Sequence, residues 1–181
     1  MYPNILLIGK IGSGKSTQAR LLAELNYYKH ESLAGELKRI AVDVLGRPLD
    51  KKIDRPFLTS LGAAYRKGDV NFWCKQIKID PRFNYVIDDC RFKNEVEFFK
   101  PLGFKTVRLV VDQGNRMERI LERGQDDVNK LAKLEQDESE NDLNDFNADF
   151  TIASNATAGE IHEMIVEFCR KNVLDYSLEY K

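Results

Sequence analysis

Apolar residues follow two alternating rhythms along the chain. Short runs rich in apolar residues occur at Asn4–Ile8 and Tyr85–Ile87, and strand signals broken by polar positions at Phe104–Val111 and Phe150–Ala153. Runs of that length without a polar face suit strands buried between two layers. Elsewhere the apolar positions recur every three or four residues, the period of a helix with one buried face. Gln18–Leu25 has this period, as do Leu33, Leu37, Ile40, Ala41, Val44 and Leu45 ahead of Gly46 and Pro48, with Ser32 suited to cap that helix. Pro56 can open a further helix, with Phe57, Leu58, Leu61, Ala64 and Tyr65 on one face before Gly68. Val70 to Ile79 sets Phe72, Trp73, Gln76 and Ile77 on one side, so residues 32–79 are predicted to be mostly helical. Tyr27–His30 predicts only a short extended segment. Later helices are expected from about Asn94 to Leu102, closed by Gly103, and from Arg116 to Arg123. Thr157 and Glu160 form a capping box ahead of Ile161, Ile165, Phe168 and Cys169. Residues 125–149 are rich in Asp, Glu and Asn, with Leu131, Leu134, Leu143 and Phe146 as isolated apolar points; the tail from Asp175 is expected to fray.

Strands that alternate with helices predict an α/β fold: a parallel sheet with right-handed crossovers and helices on both faces. Ligands of such sheets sit at the carboxyl ends of the strands. The turn after Ile8, the carboxylates at 88 and 89, and the segments after Val111 and Ala153 should therefore share one rim. Residues 1–181 read as one domain, with a helical insert at 32–79 between the first two core strands and a lid with an acidic segment at about 116–147.

Composition narrows the partners. The chain is 43% hydrophobic and 31% charged with a net charge of -1, which suits a globular protein and argues against a general nucleic-acid binder. No apolar run approaches the length of a membrane span. Cys74, Cys90 and Cys169 lack disulfide or zinc spacing, so buried thiols in a reducing, cytoplasmic setting are expected. Small-molecule partners follow, with neither nucleic acid nor membrane among them. The oligomeric state is open, and a homodimer is compatible with the sequence.

Residues 9–17, GKIGSGKST, carry the clearest chemistry. They match G-x-x-x-x-G-K-[ST] between a strand and a helix, the pattern of a phosphate-binding loop. Gly9, Gly12 and Gly14 let the backbone turn tightly, so that the N–H groups along Ile11 to Thr17 face an anion at a helix N-terminus. Lys15 can reach the outer phosphates of ATP and Ser16 can offer its hydroxyl to Mg2+. Phosphoryl transfer relies on positioning and positive charge. Arg91, two residues past Asp89, is a candidate phosphate clamp. Arg116, Arg119 and Arg123 share a helix face, which could equally be a solvated face paired with Glu118 and Glu122. Asp88 and Asp89 end a core strand, where a carboxylate serves either near the metal or as a helix cap. Lys38, Tyr65, Arg66 and Trp73 fall in the insert, where an aromatic beside a cation suits an aromatic phosphate ester; Tyr65 and Trp73 could equally be core. His30 and His162 show no ligand spacing.

Together these segments resemble the deoxynucleoside monophosphate kinases of tailed phages. The resemblance rests on the phosphate loop, Leu33-Ala34-Gly35-Glu36-Leu37-Lys38, Tyr65-Arg66 followed by Asn71-Phe72-Trp73, and Asp89-Cys90-Arg91-Phe92-Lys93-Asn94-Glu95, which is similar to a D-x-R-F-x-N-E signature. Asp137-Glu138-Ser139-Glu140 and Asp149 to Asn155 extend it. It implies a phosphate-loop NTPase sandwich that phosphorylates deoxynucleoside monophosphates with ATP and Mg2+, in the host cytoplasm if phage-encoded. Lys15, Ser16 and Thr17 would hold ATP and the metal, with Asp89 near the metal and Asn155 on the adenine side. Arg91, Arg66 and Lys38 would hold the acceptor phosphate, and Arg119 and Arg123 would close over the transferred group. Two positions depart from the family: Asp137 stands where a histidine is common and Ala156 where glycine is. Animal-type phosphomevalonate kinases share much of the layout and give the alternative acceptor. A nucleotide-binding regulatory module is the alternative outside the kinases.

Overall fold

The computed structural model describes residues 2–25, 28–50, 53–122, 141–153 and 155–173. Its frame is a five-stranded, wholly parallel sheet: β1 (Asn4–Ile8), β2 (Tyr28–Glu31), β3 (Asn84–Ile87), β4 (Phe104–Val110) and β5 (Phe150–Ala153), in the order β2-β3-β1-β4-β5. Helices α1 (Lys15–Glu24), α2 (Leu33–Leu45), α3 (Arg55–Gly68), α4 (Lys93–Phe99), α5 (Gln113–Glu122) and α6 (Ala158–Lys171) connect or follow the strands. Successive side chains of the central strand point to opposite faces. Ile5 and Leu7 join one core with α1 and α6, through Ala19, Leu22, Ile161 and Ile165. Leu6 and Ile8 join the other with Leu33, Trp73, Val96 and Phe99. This two-sided burial leaves Ile5, Leu6, Leu7 and Ile8 at 0% exposure and accounts for the unbroken apolar run.

Three predicted elements come out differently. The extended segment before the insert is a true edge strand: Tyr28 to Glu31 pair with Asn84 to Ile87. Only Tyr28 of its four residues is buried, so its apolar signal is weak, as befits a short charged edge. Residues 70–79 hold a single 3₁₀ turn, Cys74–Gln76. There Asp69 accepts from the Asn71 amide (3.0 Å) and from Lys75 Nζ (2.6 Å), folding the chain back after α3. Helix α4 ends at Phe99 and continues as a 3₁₀ turn, Lys100–Leu102, because Pro101 has no N–H to give. Tyr27, most of the acidic segment with Leu131, Leu134, Asp137, Ser139 and Glu140, Arg123 and the tail from Asp175 lie outside the described residues. No helix among the described residues is long and apolar enough to cross a membrane.

Candidate functional site

The loop between β1 and α1 makes the site. Its glycines sit at positive φ: Gly9 at 141°, Gly12 at 82° and Gly14 at 95°. At Gly9 the need is steric as well, since a Cβ there would lie 2.4 Å from the Leu109 carbonyl of β4. Lys15 folds back over the loop and donates to the carbonyls of Gly9 (2.5 Å) and Lys10 (3.0 Å). The Ser13 hydroxyl is buried with no hydrogen-bond partner among the described residues, a polar group that an oxyanion in the loop would satisfy. Gly9 to Ser16 line a cavity of about 330 Å³ together with Asp88 to Arg91, Arg108 to Val111, Arg116, Leu143 and Asn144. Thr17 closes the loop, its amide bonded to the Gly14 carbonyl at 3.1 Å.

The two carboxylates after β3 have different partners. Asp88 stands 2.7 Å from His30 Nε2 and lines the cavity beside the Ser16 hydroxyl. Burial pulls its pKa up, but the bonds from His30 and Ser16 and the nearby Lys15 charge prevail and hold it below the usual carboxylate value. Asp89, the sequence's candidate for the metal, spends both oxygens on α2: it accepts from Ser32 Oγ (2.7 Å), the Leu33 amide (2.9 Å) and the Ala34 amide (2.9 Å). Ser32 thus stands at the N-cap while the cap itself comes from Asp89. The carboxylate beside Ser16 is Asp88, not Asp89.

The signature after β3 is a folding device as much as a site. Glu95 is 5% exposed and accepts the amides of Arg91 (2.7 Å) and Phe92 (3.1 Å), capping α4 and turning the chain so that Arg91 reaches the cavity. Burial raises the Glu95 pKa above its usual value against the pull of those two amides and of Arg66. Asn94 donates to the Val70 carbonyl (3.0 Å) and to Asn71 Oδ1 (2.9 Å), pinning the insert to the sheet. Arg66 lies over the Phe92 ring at 5.0 Å. Tyr65 is partly exposed and packs on Phe72 (4.6 Å) and Trp73 (5.2 Å). Trp73 is 3% exposed with its indole N–H on the Gly62 carbonyl, so it underpins Tyr65 from within the core instead of facing an acceptor. Lys38 is exposed on α2 and is not among the cavity's lining residues.

On the other side of the loop, Arg116 is 6% exposed and donates from Nε to the Ile11 carbonyl (3.0 Å). Arg119 brings Nη1 to 4.0 Å from where a Cβ on Gly14 would sit. Asn155 is exposed and bonds Asp112, joining the loops after β5 and β4. Two residues without a sequence signal also belong here. Arg108 lies in β4, lines the cavity and donates from Nη2 to the carbonyls of Leu143 (2.6 Å) and Phe146 (2.5 Å); partial burial lowers its pKa. His30, on β2, reaches Asp88 from the neighbouring strand. Nothing in the pattern of β4 singles Arg108 out, since Lys105 is a second basic residue in the same strand.

Among the described residues no three His, Cys, Asp or Glu side chains cluster as a metal cage. The Ser16 hydroxyl and the Asp88 carboxylate are hard oxygen donors side by side at the cavity, which suits Mg2+, an ion that retains water and phosphate ligands.

Comparison with known proteins agrees with this geometry. A family model described as AAA domain matches residues 5–143. Two proteins of Ictalurid herpesvirus 1 (strain Auburn), both uncharacterised, are similar: ORF77, 34% identical over 122 residues covering 61% of this chain and 53% of that protein, and ORF76, 26% identical over 176 residues covering 93% and 67%. The chain thus spans about half the length of ORF77. Among solved structures, shikimate kinase from Acinetobacter baumannii in complex with shikimate superposes with a TM-score of 0.61 at 20% identity, covering 97% of each chain. A gluconokinase from Sinorhizobium meliloti 1021 gives 0.54 at 17% identity over 93% and 94%. These structures share the phosphate-loop kinase fold with the chain.

Proposed function

The chain belongs to the AAA-domain family, and from that premise we propose that it is an ATP-dependent phosphotransferase acting on deoxynucleoside monophosphates. The observation that carries this reading is the composition of one cavity: a complete phosphate loop and Arg91, from the segment between β3 and α4, line it together. A hydrolytic switch needs the loop; a transferase needs a second anchor for an acceptor.

In the proposed reaction an oxygen of the acceptor phosphate attacks the γ-phosphorus of ATP, the bond to the β–γ bridging oxygen breaks, and ADP leaves with that electron pair. The attacking group is already an anion, so no strong base is required, and position and charge supply the rate. The loop amides and Lys15 would hold the donor's outer phosphates, while Arg119 lies near enough to the loop to meet charge on the transferred group. Arg91 would hold the acceptor phosphate in a guanidinium fork, with Arg66 behind it and Tyr65 offering a ring to the base. Ser16 and Asp88 would hold Mg2+, which when bound neutralises charge on the phosphate oxygens. Lys38 and Arg123 complete the proposed acceptor and closing groups.

An ADP-release assay at fixed MgATP tests the reading with dTMP, dGMP, dCMP, dAMP, mevalonate 5-phosphate, shikimate and gluconate as acceptors. Turnover with at least one deoxynucleoside monophosphate is expected. Silence with all four beside turnover of another acceptor would reassign the substrate, and release independent of any acceptor would overturn the transferase reading.

A further inference from the structure

His30, Asp88 and Ser16 form a continuous chain from the sheet edge to the phosphate loop, and its order is informative. Asp88 is a carboxylate and can only accept, so the His30 Nε2 that lies 2.7 Å away must carry the proton and donate. On its other side Asp88 faces the Ser16 hydroxyl, the two lining the same cavity closely enough for the hydroxyl to favour the charged carboxylate. This arrangement does not activate a nucleophilic serine, because a carboxylate and not an imidazole meets the hydroxyl. Its effect is to fix the direction of the Ser16 O–H. With the proton committed to Asp88, the oxygen's lone pairs are left for the cavity, as a hard cation requires.

The strand register explains why histidine can do this. β2 and β3 are parallel neighbours with His30 opposite Val86, so Asp88, two residues further along, lies within reach of the imidazole at the carboxyl edge. The Asp88 side chain is 9% exposed, whereas that of His30 is 30% exposed, so the imidazole screens the carboxylate from water on its outer side. Lys15 lies close enough to Asp88 to stabilise its charge. Without the His30 bond, Asp88 is free to turn towards that ammonium and release the Ser16 hydroxyl.

We propose that His30 is a positioning residue for the metal–nucleotide site, holding Asp88 so that Ser16 presents its lone pairs to the Mg2+ of MgATP. The proposal rests on the phosphotransferase reading above. It gives β2, the strand with the weakest sequence signal, a role in the site.

The test is binding of a fluorescent ATP analogue to the full chain, with excess Mg2+ and with EDTA, for the wild type, His30→Ala, His30→Val and His30→Gln. Val suits a strand if Ala weakens the fold, and Gln keeps an N–H donor; far-UV circular dichroism confirms that each is folded. Mg2+ is expected to tighten wild-type binding. His30→Ala and His30→Val should lose about tenfold of that gain, the low end for residues that orient a metal ligand, while binding in EDTA stays within about twofold and His30→Gln recovers most of the loss. A wild-type Mg2+ gain in His30→Ala and His30→Val, or equal weakening with and without metal, would overturn the role of His30 alone. If the wild type fails to bind the analogue, the phosphotransferase reading falls and this inference with it.

Discussion

Lys15 has two sets of partners to choose from. In the structure its ammonium lies on the Gly9 and Lys10 carbonyls, and a triphosphate entering the loop would compete for it with far stronger charge. Replacing it therefore costs little in the fold and much in the reaction: Lys15→Ala should keep its thermal midpoint within a few degrees and lose roughly 10²–10³-fold or more in kcat. Near-normal turnover would remove the loop from the chemistry. Arg91 is the complementary case, because its backbone is held by Glu95 whatever its side chain does. Arg91→Ala should raise KM for the acceptor at least tenfold with a much smaller change for ATP, and Arg91→Lys should restore only part, since a point charge lacks the planar fork. An equal loss for both substrates would make Arg91 structural. Asp88 and Asp89 show what sequence cannot separate at this scale. Adjacent carboxylates at a strand end are equivalent on paper, but the pleat sends one toward Ser16 and the other toward α2.

Among the elements, the phosphate loop and its two flanks were the most legible, because a fixed spacing of glycines, lysine and serine admits few backbones. β1 and β3 were nearly as plain, each an apolar run buried on both sides. β2 was not, since three of its four residues remain at least partly in water and its strand character comes from pairing with β3. Residues 70–79 carried a helical period that the Asp69 turn and the burial of Trp73 override. The cap of α2 was legible in kind but not in donor: Ser32 stands where a cap belongs, yet Asp89, 57 residues away, makes the bonds. Asp89→Ala leaves the Leu33 and Ala34 amides without that acceptor, and loss of a helix cap costs about 0.5–2 kcal/mol. The expected result is a fall of that size in unfolding free energy by urea, with ATP-analogue binding affected less than by Asp88→Asn. The opposite ranking would return Asp89 to the metal site.

For the whole molecule, carboxylates decide how the fold responds to acid. Asp88 is held low by its bonds from His30 and Ser16 against its burial. Asp149 is likewise held low, accepting the Thr106 amide (2.8 Å) and hydroxyl (2.6 Å) where β5 meets β4, with burial again opposing. A carboxyl whose folded pKa is depressed contributes stability that is fully present above its unfolded value, about 3.9 for Asp, and is lost as pH falls through the folded pKa. Glu95 runs the other way: burial raises its folded pKa, so what it contributes is present at acid pH and lost as pH rises through that value. His30, raised chiefly by its bond to Asp88, adds stability below its unfolded value near 6.5 that disappears as pH rises through its folded pKa. His30 takes up its proton above the range in which the two aspartates lose their charge, so urea midpoints should hold or rise slightly between pH 7 and 5 and fall below about pH 4, where Asp88 and Asp149 are protonated. Asp149→Asn separates the contributions. It should lower the midpoint at pH 7, where the charged carboxylate has been lost from the β4–β5 junction, and flatten the decline below pH 4, where the wild type must protonate the same group. A variant that lost stability equally at every pH would show that Asp149 acts through packing and not through its charge.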